Sequence, residues 1–168
     1  MARGSKVVAG RRFAVTLAAG LALLGANRDP GEGIAVRFPE GITHGFLTVS
    51  TLDGRRLGDG DVIQTVHGDQ VTNHTVLQFK DGSTQDETVV YSQRGRFQVI
   101  SDHMVQKGPA FPRAIDLSVD VAKGLVTVRY SEGGGEMKVL TESMDLPADL
   151  ANGIVPNVIK NTSGAALT

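Results

Sequence analysis

Ile115-Asp116-Leu117-Ser118-Val119-Asp120-Val121-Ala122-Lys123-Gly124-Leu125-Val126-Thr127-Val128-Arg129-Tyr130 reads as a β-hairpin. Apolar Ile115, Leu117, Val119 and Val121 alternate strictly with Asp116, Ser118 and Asp120, the period of a strand with one covered and one wet face. Across a two-residue turn at Lys123-Gly124, Val121 faces Val126, Val119 faces Val128 and Leu117 faces Tyr130. Each apolar side chain then meets an apolar partner, and a one-residue slip would destroy the match.

The same punctuation extends upstream. Turn-type pairs stand at Asp53-Gly54, Gly68-Asp69, Asp81-Gly82, Arg94-Gly95 and Lys107-Gly108, at steps of 14, 14, 13 and 13 residues, and Gly133-Gly134-Gly135 follows the hairpin. Glycine supplies the positive φ of tight hairpin turns, and the segments between are rich in Val, Ile, Thr, Phe and Tyr. The expected fold is therefore mainly β: an antiparallel meander, a curved sheet or partial barrel, with a short C-terminal helix.

The upstream faces sort less well than the hairpin. One collects Val62, Val66, Val71, Leu77, Phe79, Val90, Phe97 and Val99 among polar Asn73, Thr75, Thr84, Asp86, Thr88, Ser101 and His103. The other collects Ile63, Val76, Val89, Tyr91 and Ile100 with Thr72, His74, Glu87 and Asp102. Either the sheet curls into an open barrel with a partly polar concave face, or the registers contain bulges. Further on, Leu146-Pro147-Ala148-Asp149-Leu150-Ala151-Asn152-Gly153 reads as a short helix, with proline in its first turn and glycine past its end. Val155 to Lys160 offers a second helical turn. The expected organisation is a meander over 45–145, a helical segment over 146–160 and a frayed tail over 161–168. One sheet edge is left open, for a partner or for further chain.

Residues 1–26 have the pattern of a secretory signal. Arg3, Lys6, Arg11 and Arg12 precede the apolar run Phe13–Leu24, and cleavage is expected near Ala26, followed by an extension over 27–44. The run is too short for the ~20 residues that cross a bilayer as a helix, so no transmembrane span is expected after cleavage. Arg11-Arg12 lacks the rest of a twin-arginine motif. The expected location is periplasmic or secreted.

Of 17 basic and 18 acidic side chains in the 168-residue chain, the signal removes four basic ones, leaving 13 against 18. That balance argues against a nucleic-acid partner, which needs a basic patch. With no cysteine there is no disulfide staple. The remaining length suffices for one domain.

The stretch from Gly45-Phe46-Leu47 through Asp81-Gly82-Ser83, Asp86-Glu87-Thr88, Ser101-Asp102-His103 and Lys107-Gly108-Pro109 to Leu146–Gly153 resembles a group of uncharacterised secreted bacterial β-rich proteins, over about residues 40–160. The resemblance implies an open or closed barrel-like envelope protein, usually continued by a second group of strands, and implies no activity. In architecture the chain is also similar to periplasmic lipoprotein carriers, whose curved sheet shelters an acyl chain.

Four polar residues are the strongest chemical candidates. In the expected register Asp86 opposes His103 and Glu87 opposes Asp102. A carboxylate beside an imidazole can orient a general base or a metal ligand, and two facing carboxylates can share a proton or hold a cation. The plainer reading is a cross-strand polar pair with the other two acids in solvent, and no nucleophile is evident. His67 and His74 flank one turn but do not converge, because His74 faces Ile63, and His44 sits in a loop. Gly58-Asp59-Gly60-Asp61 lacks the remaining ligands of a calcium loop and reads as a turn. Asn73-His74-Thr75 and Asn161-Thr162-Ser163 match the glycosylation sequon. Neither metal nor cofactor is expected.

Three functions follow. A non-enzymatic binder would use Leu77, Phe79, Phe97, Val99 and the loop residue Phe111 against a lipid or apolar small molecule. An interaction module would engage a protein at the open sheet edge. A hydrolase or metal enzyme would rest on Asp86, Glu87, Asp102 and His103, and is the weakest of the three.

Overall fold

The computed structural model describes residues 33–131 and 135–162. The expected signal over 1–26 and the expected tail beyond Thr162 lie outside them, as do Gly133 and Gly134. Eight strands follow one another as a pure antiparallel meander: β1 (Thr43–Ser50), β2 (Arg56–His67), β3 (Gln70–Phe79), β4 (Thr84–Ser92), β5 (Gln98–Lys107), β6 (Ile115–Asp120), β7 (Leu125–Ser131) and β8 (Met137–Ser143). The curved sheet does not close, because β1 and β8 are its two edges. The turn glycines named from the sequence at 54, 68, 82, 95, 108 and 124 all have positive φ.

In the β6–β7 hairpin the faces are those expected, but the register is displaced by two residues. Val119 pairs with Val126, Leu117 with Val128 and Ile115 with Tyr130. Val121 belongs to the turn, where its carbonyl accepts from Gly124 N and Asp120 Oδ1 accepts from Lys123 N. A shift of two keeps every side chain on its face.

Upstream the displacement is odd, and this explains the mixed faces. The β3–β4 turn is one residue longer than a two-residue loop, closed by Phe79 N donating to Ser83 O, so Thr84 pairs with Gln78 and all of β4 turns over. A bulge follows: Val90 pairs with Ser101 but Tyr91 pairs with Val99, leaving Ile100 extra and 39 % exposed. With these corrections Val71, Val89, Tyr91 and Val99 share one inner face. Gly58 and Gly60 are also not a turn. They lie within β2, paired on both sides, where a Cβ at Gly60 would run into the Val76 carbonyl and Leu77.

The helix expected over 146–160 is confined to α1 (Val155–Asn161). Leu146–Gly153 instead makes two turns, with Leu150 N donating to Pro147 O and Ile154 N to Ala151 O. A helix this short has little stability of its own, so packing decides its conformation. Here packing lays Leu150, Ala151, Ile154 and Val158 across the inner face onto Val71, Val89, Tyr91, Phe97 and Val99. The segment from Gly33 joins from the other side, with Phe97 N donating to Ile34 O and Val36 N to Gly95 O.

A buried polar chain ties strap to sheet. Asn157 Nδ2 donates to Tyr91 Oη (3.2 Å), Tyr91 Oη donates to Gln64 Oε1 (3.1 Å), and Gln64 Nε2 donates to the Gly41 carbonyl (2.7 Å). Burial, with the Glu40 carboxylate nearby, pushes the Tyr91 phenol well above its usual range, so it remains a donor. Asn161, only 2 % exposed, accepts at Oδ1 from Arg37 N and Phe38 N, which leaves no room for a glycan. Tyr91→Phe would strand the Gln64 oxygen and an Asn157 proton and should cost about 1–3 kcal/mol. Urea unfolding of the two proteins checks this, and equal midpoints would refute the polar chain.

Candidate functional site

The sheet has two chemically distinct faces, and the sequence candidates divide between them. Asp86 and His103 are not opposite each other: Asp86 pairs with Val105 and His103 with Thr88. Both are on the outer face, and each has another partner. His74 Nε2 lies 2.9 Å from Asp86 Oδ1, and His103 Nε2 lies 3.1 Å from Asp116 Oδ1. His44 Nε2 repeats the arrangement, 2.9 Å from Asp61 Oδ1.

These contacts form a pattern. His44, Ile63, His74, Thr88, His103 and Ser118 occupy one transverse row across β1–β6, and Asp61, Val76, Asp86, Val105 and Asp116 occupy the next across β2–β6. Odd strands contribute the imidazoles and even strands the carboxylates, and Arg129 continues the second row, its Nη1 3.6 Å from Asp116 Oδ2. All three imidazoles are carboxylate-oriented, yet they are solvent-exposed, and such pairs add little to stability. Among the described residues no three His, Asp or Glu side chains converge on one point.

Glu87 and Asp102 face inward. Glu87 pairs with Met104 and Asp102 with Val89, so the two acids sit diagonally on neighbouring strands. The strap covers them. Asn152 Nδ2 donates to Asp102 Oδ2, and a Cβ at Gly153 would lie 3.2 Å from Glu87 Oε1. Burial, and secondarily the Asp102 charge, raises Glu87 to about 7, against the opposing hydrogen bond from Gln85. Burial also raises Asp102, opposed by Asn152 and by His103. Asp102 is 1 % exposed, and its Oδ1 has no partner among the described residues. Burial thus displaces both carboxyls in the same direction, toward holding a proton that a solvated carboxyl would release.

The apolar candidates also separate. Phe97 and Val99 are core beneath α1, 2 % and 5 % exposed, and offer nothing to a ligand. Phe111 folds back on the end of the sheet: its ring meets Phe79 edge-on at 5.7 Å, and Ala110 N donates to Ser83 Oγ at 2.7 Å. Leu77 and Phe79 are half-buried on the same inner face.

The open apolar surface lies elsewhere. The strap covers the inner face from β2 to β5. Beyond it a cleft of ≈ 180 Å³ is lined by Ile115, Val126, Val128, Tyr130, Leu140 and Met144. Arg113 and Glu142 complete its lining, and the Arg113 guanidinium stands 6.0 Å over the Tyr130 ring. The alternation of β6 and β7 marks these residues as one apolar face. Nothing local marks them as uncovered, because that depends on where the strap ends.

The fold and site define a single-sheet β protein whose inner face is strapped on one half and open on the other. Compared with protein-family models, curated proteins and solved structures, the chain finds no match. Among the described residues no helix is long and apolar enough to cross a membrane.

Proposed function

We propose that the chain is a non-enzymatic protein, exported by its N-terminal signal, that holds an apolar or amphipathic ligand in the open half of its inner face. The observation that carries this reading is the cleft between β6 and β8, where Ile115, Val126, Val128, Tyr130, Leu140 and Met144 line a concave surface together with Arg113 and Glu142. Its ≈ 180 Å³ falls below the roughly 300 Å³ at which ligand pockets usually begin. It accommodates one aliphatic or aromatic moiety, with the polar part of the ligand left beside Arg113. The acid pair supports the same reading against catalysis, since Asp102 is buried beneath the strap and Glu87 is partly covered by it.

Titration with a fluorescent fatty acid should give saturable binding that unlabelled fatty acid displaces. Met144→Asp places a charge in the cleft at a position already 45 % exposed, so the fold tolerates it. It should weaken binding roughly tenfold or more. No saturable binding by the parent chain, or an unchanged affinity in Met144→Asp, would end the proposal. The β8 edge, which no strand among the described residues covers, favours a second reading, an interaction module that completes its sheet with another chain.

A further inference from the structure

We infer that the partner at the β8 edge is a second copy of this chain, joined by antiparallel pairing of β8 with β8 about a two-fold axis through Leu140. The inference rests on the interaction reading, and its contacts share Leu140 and Glu142 with the ligand cleft.

Every residue of β8 is exposed, including Met137 (56 %), Val139 (62 %) and Leu140 (50 %). The strand pairs with β7 along its whole length, from Met137 opposite Ser131 to Ser143 opposite Leu125, and it presents its other side as an edge. A long edge with apolar side chains is a template for another strand.

The sequence Met137-Lys138-Val139-Leu140-Thr141-Glu142-Ser143 is complementary to itself in one register. A two-fold axis perpendicular to the sheet keeps inner side chains opposite inner ones, so the axis must pass through a residue. Centred on Leu140, Lys138 meets Glu142 of the second copy twice, Leu140 meets Leu140, and Val139 meets Thr141. Centred on Val139, Lys138 would meet Leu140. Centred on Thr141, Glu142 would meet Leu140. Only the first register pairs opposite charges and apolar side chains together, the combinations that stabilise neighbouring strands. An inward lysine on an edge strand ordinarily discourages pairing; Glu142, four residues on, turns that device into a specific contact.

The opposite edge has no such property. β1 carries no Lys, Arg, Asp or Glu, and its register with β2 shifts between Val49 and Ser50. Pairing through β8 is also isologous: it uses the β8 edge of both copies, so this contact by itself closes on a dimer.

The test is sedimentation of the full chain between roughly 1 and 500 µM, the range in which a single strand pair associates measurably. The parent chain should pass from monomer to dimer. Lys138→Glu and Glu142→Lys should each weaken the dimer roughly tenfold or more, since each puts like charges opposite one another. The double variant should recover the parent affinity. An equimolar mixture of the two single variants should form a heterodimer, because both charge contacts are then restored. Circular dichroism of each variant confirms that the fold is kept.

A parent chain that stays monomeric, single variants that dimerise like the parent, or larger assemblies without rescue on mixing would each overturn the inference. Amide exchange over 137–143 separates this failure from that of the interaction reading. Rapid exchange in a monomer leaves the edge open and overturns the dimer alone; slow exchange in a monomer removes both.

Discussion

Gly153→Ala should destabilise the folded chain by about 2–5 kcal/mol, far more than an alanine at Gly54, a turn glycine with open space around it. Gly153 has φ +67, a conformation that costs an L residue roughly 1–2 kcal/mol. Its Cα also lies directly on the sheet, so that an added methyl would drive into Val89 Cγ2 and come within 3.2 Å of Glu87 Oε1. Val89 is 2 % exposed and cannot retreat. The collision therefore adds an overpacking cost of about 1–3 kcal/mol, or the strap lifts. Gly54 is the control. Its φ is +87, but nothing lies within 4 Å of its Cβ position, so Gly54→Ala should show the conformational cost alone. Urea unfolding at neutral pH measures both variants. Equal losses would mean that Gly153 is only a turn residue and that the strap does not bear on β4.

These contacts show where the sequence was legible and where it was not. Turn positions were, because the glycines at 54, 68, 82, 95, 108 and 124 announce positive φ locally. The meander followed from them, as did the face assignments of β6 and β7. Register was less legible. A turn longer by two residues at Val121–Gly124 changed nothing about faces, whereas one extra residue before Ser83 inverted all of β4 and moved Val89 and Tyr91 into the core. The β4–β5 turn and the Ile100 bulge each added one further residue, and together they displaced Asp86 from His103 by two positions.

Periodicity cannot register such single-residue insertions, because the alternation on either side of them remains intact. The carboxylate partners of the outer-face histidines were missed for a related reason. His74 meets Asp86, and His103 meets Asp116, diagonally across strands rather than directly opposite. The strap was illegible as a strap: Leu146–Gly153 has the composition of a short helix, and only the inner face it covers decides that it turns instead.

The strap has a consequence in solution that the buried acids make measurable: stability should fall as pH rises from about 4.5 to about 7 and then level off. Glu87 has its carboxyl raised from 4.5 to about 7 in the folded chain, chiefly because the strap and the surrounding strands desolvate it. Below pH 4.5 both folded and unfolded chains carry the proton, and the stabilisation is complete. Between 4.5 and about 7 the unfolded chain releases a proton that the folded chain retains, so the unfolded state binds fewer protons and stability declines with pH. Above 7 both states are ionised and the loss is complete. Asp102, raised in the same direction by burial, adds to the decline.

A shift of this size corresponds to about 2–3 kcal/mol for Glu87, given that a small part of the side chain remains solvated. Glu87→Gln keeps an amide where Gln85 can hydrogen-bond and removes the titrating charge beside Asp102. At pH 8 it should therefore be more stable than the parent by about 1–3 kcal/mol, and at pH 4.5 nearly equal to it. Unfolding curves for both chains at pH 4.5, 6 and 8 decide the matter. A variant whose advantage is the same at all three values, or a parent chain that gains stability between pH 5 and 7, would show that Glu87 is ionised and solvated in the folded state. The strap would then not seal the inner face from water, and the division of that face into a closed half and an open half would fall with it.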